Sequence, residues 1–82
     1  MSIIIMSENN NELIKAQNEL IGILFEIIKR LQSNNDLDAE YFQIISKKVR
    51  TKTENLRLEE INKEREDNAE IVSRLLKQIE SN

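Results

Sequence analysis

Apolar residues recur along this chain with helical spacing, and nowhere with the sustained alternation of a half-buried strand. They crowd most densely between residues 13 and 31, where Leu13, Ala16, Leu20, Ile21, Ile23, Leu24, Phe25, Ile27, Ile28 and Leu31 stand close together. On a helix these positions cover about 200° of the circumference. Glu8, Glu12, Lys15, Glu19, Gly22, Glu26, Lys29 and Arg30 fall on the narrow polar stripe that remains. A helix packed on one neighbour needs an apolar arc of only about 100°, so this one is expected to touch at least two. Leu24 is expected against its own hairpin, and Ile21, Phe25 and Ile28 against something else. Glu19, Gly22 and Glu26 form the seam left to water, with Gly22 suited to a close helix crossing. Lys15 with Glu19 and Glu26 with Arg30 are opposite charges at i, i+4 that support the wet side.

The first helix is predicted over residues 9–32, capped by Ser7 or one of Asn9 to Asn11. Residues 1–8 read as an N-terminal tail, with Met6 as a second plausible start; the competing reading docks that short apolar tail on the bundle. "SNND" at residues 33–36 supplies turn chemistry, and "DLDAEYF" restarts a helix with Asp36 or Asp38 as cap. With Asp38 as N-cap, Leu37 would staple to Phe42. A second helix is therefore predicted over residues 38–52, antiparallel to the first.

Two stripes follow. Phe42, Ile45, Val49 and Leu56 lie on one, with Tyr41 and Ile44 flanking it; Leu58, Ile61, Val72, Leu75, Leu76 and Ile79 lie on another that points nearly the opposite way. The handover falls at residues 51–56, where Thr51 and Glu54 have capping-box spacing and Thr53 is an alternative cap. Residues 53–80 are thus a third helix or a continuation of the second, with a break or bend near residues 51–54 favoured. The polar stretch at residues 62–70 leaves a seam of heptad spacing, Ile61, Arg65, Asn68, Val72, Leu75 and Ile79, in which Arg65 and Asn68 weaken a coiled coil but fix its register. Alternatively, Asp67 and Glu70 mark a fresh helix start. The fold class is all-α: a helical hairpin plus a long C-terminal helical segment, in one small bundle completed by oligomerisation.

Composition reinforces this reading. The chain has no Pro and one Gly, so little interrupts helix. With 82 residues the core is thin, and with no Cys and no His the disulfide or soft-metal staples of small domains have no ligands. Self-association is the remaining supplement, and a homodimer through Leu20, Ile21, Leu24, Phe25 and Ile28 is expected. The Asn-, Ile- and Lys-rich composition is typical of AT-rich bacterial, phage or viral genomes. No segment reaches the ~20 apolar residues of a membrane span, and residues 1–6 lack the pattern of a secretory signal, which makes a cytoplasmic location the expectation.

Enzymatic chemistry has few residues to work with. There is no imidazole or thiol, and a single glycine cannot build a phosphate-cradling loop. The sharpest candidate is the acidic series Glu60, Glu64, Asp67 and Glu70, hard oxygen ligands on one helical face that would suit Mg²⁺. "EE" at residues 59–60 and "ERED" at residues 64–67 resemble in part the paired acidic motifs of the all-α MazG-type nucleotide pyrophosphohydrolases. The two halves lie too close together in one segment, and Lys63 and Arg65 interleave with them, so a solvated, salt-bridged face is the preferred reading and no metal or cofactor is assigned.

Charge changes the picture once more. The net charge is only -3, but residues 41–57 hold five bases and one acid between two acidic arms. Lys47, Lys48, Arg50 and Lys52 could contact phosphates if one helix carried them. The sequence therefore supports, first, a non-enzymatic protein-binding module, a regulator, assembly factor or inhibitor acting through helical faces, with Lys47, Lys48, Arg50, Lys52, Glu59, Glu60 and Glu64 as partner-contact candidates. A nucleic-acid-binding regulator using residues 47–52 is the alternative, and a Mg²⁺-dependent hydrolase using residues 60–70 the second.

Overall fold

The computed structural model describes the backbone of residues 3–81 and the side chains of residues 10–81. It is a hairpin of two helices, α1 (Ile3–Ile45) and α2 (Lys52–Glu80). The class is all-α, and among the described residues there is no strand.

The helix boundaries differ from those the sequence suggests. The turn expected at residues 33–36 does not exist, and α1 runs unbroken through "SNND". Helix propensity explains the mistake, because Ser, Asn and Asp each cost only up to about 0.7 kcal/mol in a helix interior, which tertiary bonds can offset. Here they do: Asn34 donates from Nδ2 to the Arg65 carbonyl at 3.4 Å, and Asn68 donates to Asn34 Oδ1 at 2.8 Å. The staple between Leu37 and Phe42 is consequently absent, with Leu37 buried against α2 and Phe42 71% exposed. The predicted tail also differs, since Ile3 to Glu8 already belong to α1. Whether its side chains dock lies outside the described residues.

The single reversal occupies residues 46–51. No glycine is used, and among the described residues no backbone adopts a positive φ. Arg50 performs the work a C-terminal glycine would otherwise do: its Nη1 donates to the carbonyl of Ile45 (3.3 Å), which the end of α1 leaves without a helical partner, and to that of Lys47 in the turn (3.4 Å). Its Nε donates to Asn55 Oδ1 on α2 at 3.2 Å, which ties the two helices across the turn. Thr51 then caps α2 with the anticipated capping box: Thr51 Oγ1 accepts from the Glu54 N–H at 3.1 Å, and the Thr51 N–H donates to Glu54 Oε1 at 2.9 Å.

Opposition of Asn34 and Asn68 sets the register. Carried along in heptads, it places Leu37 by Arg65, Tyr41 by Ile61 and Ile44 by Leu58 in one direction, and Ile27 by Leu75 and Ile23 by Ile79 in the other. The α2 side of this seam is the Ile61 to Ile79 series read from the sequence. On α1 the covered stripe is Ile23, Ile27, Arg30, Asn34, Leu37, Tyr41 and Ile44, all buried or half-buried. Asn68, 5% exposed, is the one buried polar residue among the described residues and sits inside a closed network. It accepts from Arg30 Nη1 at 3.1 Å and donates to Asn34 and, at 3.3 Å, to Ser33 Oγ. No buried side-chain polar atom among the described residues lacks a partner.

Because α1 has 43 residues and α2 has 29, α2 ends level with Gly22 and the preceding part of α1 runs on alone. The molecule is a rod of 72 × 18 × 15 Å. Its radius of gyration is 20.4 Å, against about 12 Å for a compact domain of this length.

Candidate interaction surface

The hairpin covers one stripe of α1 and leaves the other bare. Leu24, expected against the hairpin, is instead exposed, and Ile27 occupies the buried position. A 200° apolar arc announces two neighbours but does not say which half each takes; the Asn34–Asn68 opposition rotates α1 so that Ile23 and Ile27 face inward. Gly22 is not at a crossing either, for a Cβ built on it would meet nothing within 4 Å.

Leu20, Ile21, Leu24, Phe25 and Ile28 are all solvent-exposed, Phe25 at 67%. The structure brings the last four together around a shallow hollow of about 190 Å³ on the outer side of α1. Ile14 and Leu31 extend the same face at heptad spacing and are about half exposed; the sequence reading passed over them as interaction residues, although the series 14, 21, 24, 28, 31 carries the signal. Leu20 lies apart, lining an open cleft of about 840 Å³ with Ala16, Ile23, Leu75 and Ile79 where α2 ends. Toward the turn, Phe42, Ile45 and Val49 are exposed as well, but Asn35 and Asp38 separate them from the first block.

The charged candidates scatter. Residues 46–51 form a turn, so Lys47, Lys48, Arg50 and Lys52 do not share a helix face. Lys47 pairs with Glu54 and Arg50 folds back on the turn, which leaves Lys48 and Lys52 exposed. The Lys47 ammonium, with the Thr51 N–H behind it, draws the Glu54 carboxyl down to about 2. On α2, Glu59 is exposed, whereas Glu60 and Glu64 turn toward Arg57 at 3.2 and 3.6 Å.

Arg57, which sequence reasoning missed, is the electrostatic tie between the helices. It grips Glu40 with two bonds, Nε to Oε2 at 2.6 Å and Nη2 to Oε1 at 2.8 Å. That guanidinium holds the Glu40 carboxyl below its ordinary range, and Glu40 and Glu60 in turn hold Arg57 more firmly protonated than usual. Arg65 pairs with Asp38 at 2.7 Å and lies 6.0 Å from the Tyr41 ring centroid. Among the described residues no three acidic side chains gather as a metal site would require, and Glu60 and Glu64 are engaged with a cation. None of the described helices is long and apolar enough to cross a membrane.

Compared with protein-family models, curated proteins and solved structures, the chain finds no match. The outer face of α1 is therefore the surface on which a functional reading has to stand.

Proposed function

We propose that this chain is a non-enzymatic interaction module, a two-helix rod that acts by docking the outer apolar face of α1 onto another protein helix. The observation that carries the reading is the bare block of Ile21, Leu24, Phe25 and Ile28, which the hairpin fold does not need and water does not favour. A helix-in-groove or helix-on-helix contact suits such a stripe, because anchors at i, i+3, i+4 and i+7 are what a facing helix engages. The exposed charges of Lys48, Lys52 and Glu59 lie toward the turn, beyond Asn35 and Asp38, and so would act on encounter rather than on the apolar contact itself.

The discriminating experiment compares the parent chain with Phe25→Glu/Ile28→Glu, changes that leave the seam with α2 untouched. Circular dichroism is expected to show an unchanged hairpin. Light scattering, and affinity capture from the native host read by mass spectrometry, are expected to show that the variant loses association with itself or with a specific protein. If the variant matches the parent in both assays, the face has no docking role and the reading fails.

A further inference from the structure

We infer that the occupant of this face is a second copy of the same chain, docked antiparallel so that Ile21 of each copy lies opposite Leu24 of the other. The inference rests on the docking role proposed above and names its partner and geometry.

Three observations converge on it. The first is the hollow itself. Its lining residues, 21, 24, 25 and 28, stand at i, i+3, i+4 and i+7, the four positions that make the hole for a knob in helix-on-helix packing. In the antiparallel register the knob brought over it is Ile21 of the second copy, a side chain that also lines the identical hole.

The second is where the apolar block stops. Ile14, Ile21, Leu24, Phe25, Ile28 and Leu31 are bracketed by Asn9 to Asn11 on one side and by Asn35 and Asp36 on the other. Antiparallel pairing about the midpoint sets Ile14 against Leu31 and Gln17 against Ile28, and brings Asn35 opposite Asn10. Polar ends then meet polar ends, and Ile14–Leu31 and Ile21–Leu24 are apolar pairs, with Gln17 and Ile28 the mixed pair of the block. A parallel pairing would instead set the stretch of α1 before Gly22 against the same bare stretch of the other copy. The antiparallel register also lays the part of α1 that α2 does not reach beside the hairpin of the other copy.

The third is area. The chain exposes 6882 Å², whereas a compact monomer of 9.6 kDa exposes roughly 5,100 Å². The six side chains of the block present roughly 600 Å² per copy, taking about 200 Å² for a fully exposed large side chain. Pairing two copies would bury roughly 1,200 Å², the lower bound of a specific interface.

The chain has no cysteine, so single labelling sites are introduced without removing any. Lys15 and Lys29 are exposed, occupy equivalent heptad positions away from the block and suit nitroxide attachment through Lys15→Cys and Lys29→Cys. In the antiparallel pair, matched labels are offset along the axis by about 20 Å, while a label at 15 on one copy and one at 29 on the other sit nearly level. The mixed sample should therefore give a shorter electron–electron distance than either single-label sample. The reverse order, with the mixed distance the longest, would establish a parallel pair and overturn the proposed arrangement. Light scattering that shows only monomer up to hundreds of micromolar, with no dipolar coupling, would overturn the second copy altogether. In that event capture of a host protein that still depends on Phe25 and Ile28 would leave the docking role standing, so the two failures are distinguishable. Phe25→Glu/Ile28→Glu is expected to weaken the pair by at least a hundredfold and abolish the coupling at working concentrations.

Discussion

Replacing Asn68 by Ala tests the polar layer on which the hairpin's register depends. The side chain is buried, accepts from Arg30 Nη1, and donates to Asn34 Oδ1 and Ser33 Oγ. These losses are not equal. Arg30 retains its Nε bond to Glu26 at 2.9 Å, and with 37% of its side chain exposed it regains water easily. The Ser33 bond at 3.3 Å is long, so its contribution is small. The main cost falls on Asn34, half-buried, whose Oδ1 loses a 2.8 Å donor. Leaving such a group unsatisfied costs about 1–3 kcal/mol, and we take ~2 kcal/mol as the expected loss. At roughly 4–8 °C per kcal/mol for a chain this small, the melting midpoint should fall by about 8–16 °C. Urea and thermal unfolding followed by circular dichroism, at one fixed protein concentration, give the number. A cycle with Asn34→Ala isolates the pair, and a coupling of about 1 kcal/mol is expected for residues sharing a network. Replacing both Asn34 and Asn68 by Leu should restore stability to within about 1 kcal/mol while loosening the register, since a polar pair specifies alignment at the expense of stability. An Asn68→Ala variant within about 0.5 kcal/mol of the parent, with additive effects at the two sites, would refute this account of the register.

Three further predictions follow from the same geometry. Ile61→Ala, at a fully buried position, should cost about 2–4 kcal/mol in urea unfolding, whereas Phe42→Ala should stay within about 0.5 kcal/mol despite removing a larger side chain. Asn35→Pro should destabilise α1 by about 3 kcal/mol or more, because Asn35 lies in mid-helix; a tolerated proline would show that residues 33–36 are a turn after all. Glu54 should titrate near 2 by carbon-detected NMR, and since its folded value lies below the ordinary one, the stability it contributes is complete above about pH 4.5 and is lost as pH falls toward 2. Lys47→Ala should narrow that shift, whereas Thr51→Ala, which keeps the backbone N–H that bonds Glu54 Oε1, should leave most of it; a Glu54 midpoint above 4 in the parent chain would refute the Lys47 pairing as its cause.

Much of the hairpin is legible in the sequence, and the part that is not has a local cause. The Ile61 to Ile79 seam and the Thr51–Glu54 box are readable because heptad spacing and capping chemistry act within a few residues. The reversal is misplaced because turn chemistry and turn position part company here. "SNND" has the residues of a turn and is helix, while residues 46–51 lack glycine and proline and are the turn. What decides is the side-chain partner each segment finds: Asn34 bonds to distant Asn68, and Arg50 bonds back to the carbonyls of Ile45 and Lys47. Local propensity carries neither fact. The same limit explains Leu24 and Ile27, for a wide apolar arc fixes the number of neighbours a helix wants but not how it is rotated among them. The interaction candidates divide in the same way, with Ile21, Leu24, Phe25 and Ile28 forming one surface and the basic run dispersed by the turn that its sequence hid.

The segment from Ser33 to Asp38 governs both faces of α1. Ser33 and Asn34 point inward and bond to α2, which rotates the helix and fixes which stripe is covered. Asn35 falls on the opposite stripe, where it ends the apolar block that begins at Ile14. Asp38 follows at the next heptad position and is held by Arg65. One short polar stretch thereby aligns the intramolecular seam and delimits the intermolecular one, without breaking the helix. The two faces should accordingly respond separately: losses at Ile27, Leu37 or Ile61 unfold the hairpin, whereas losses at Ile21, Phe25 or Ile28 leave it folded and change only what it joins. A chain whose stability tracked both sets equally would be one in which association and folding are a single event, and the outer face would then be part of the core rather than a docking surface.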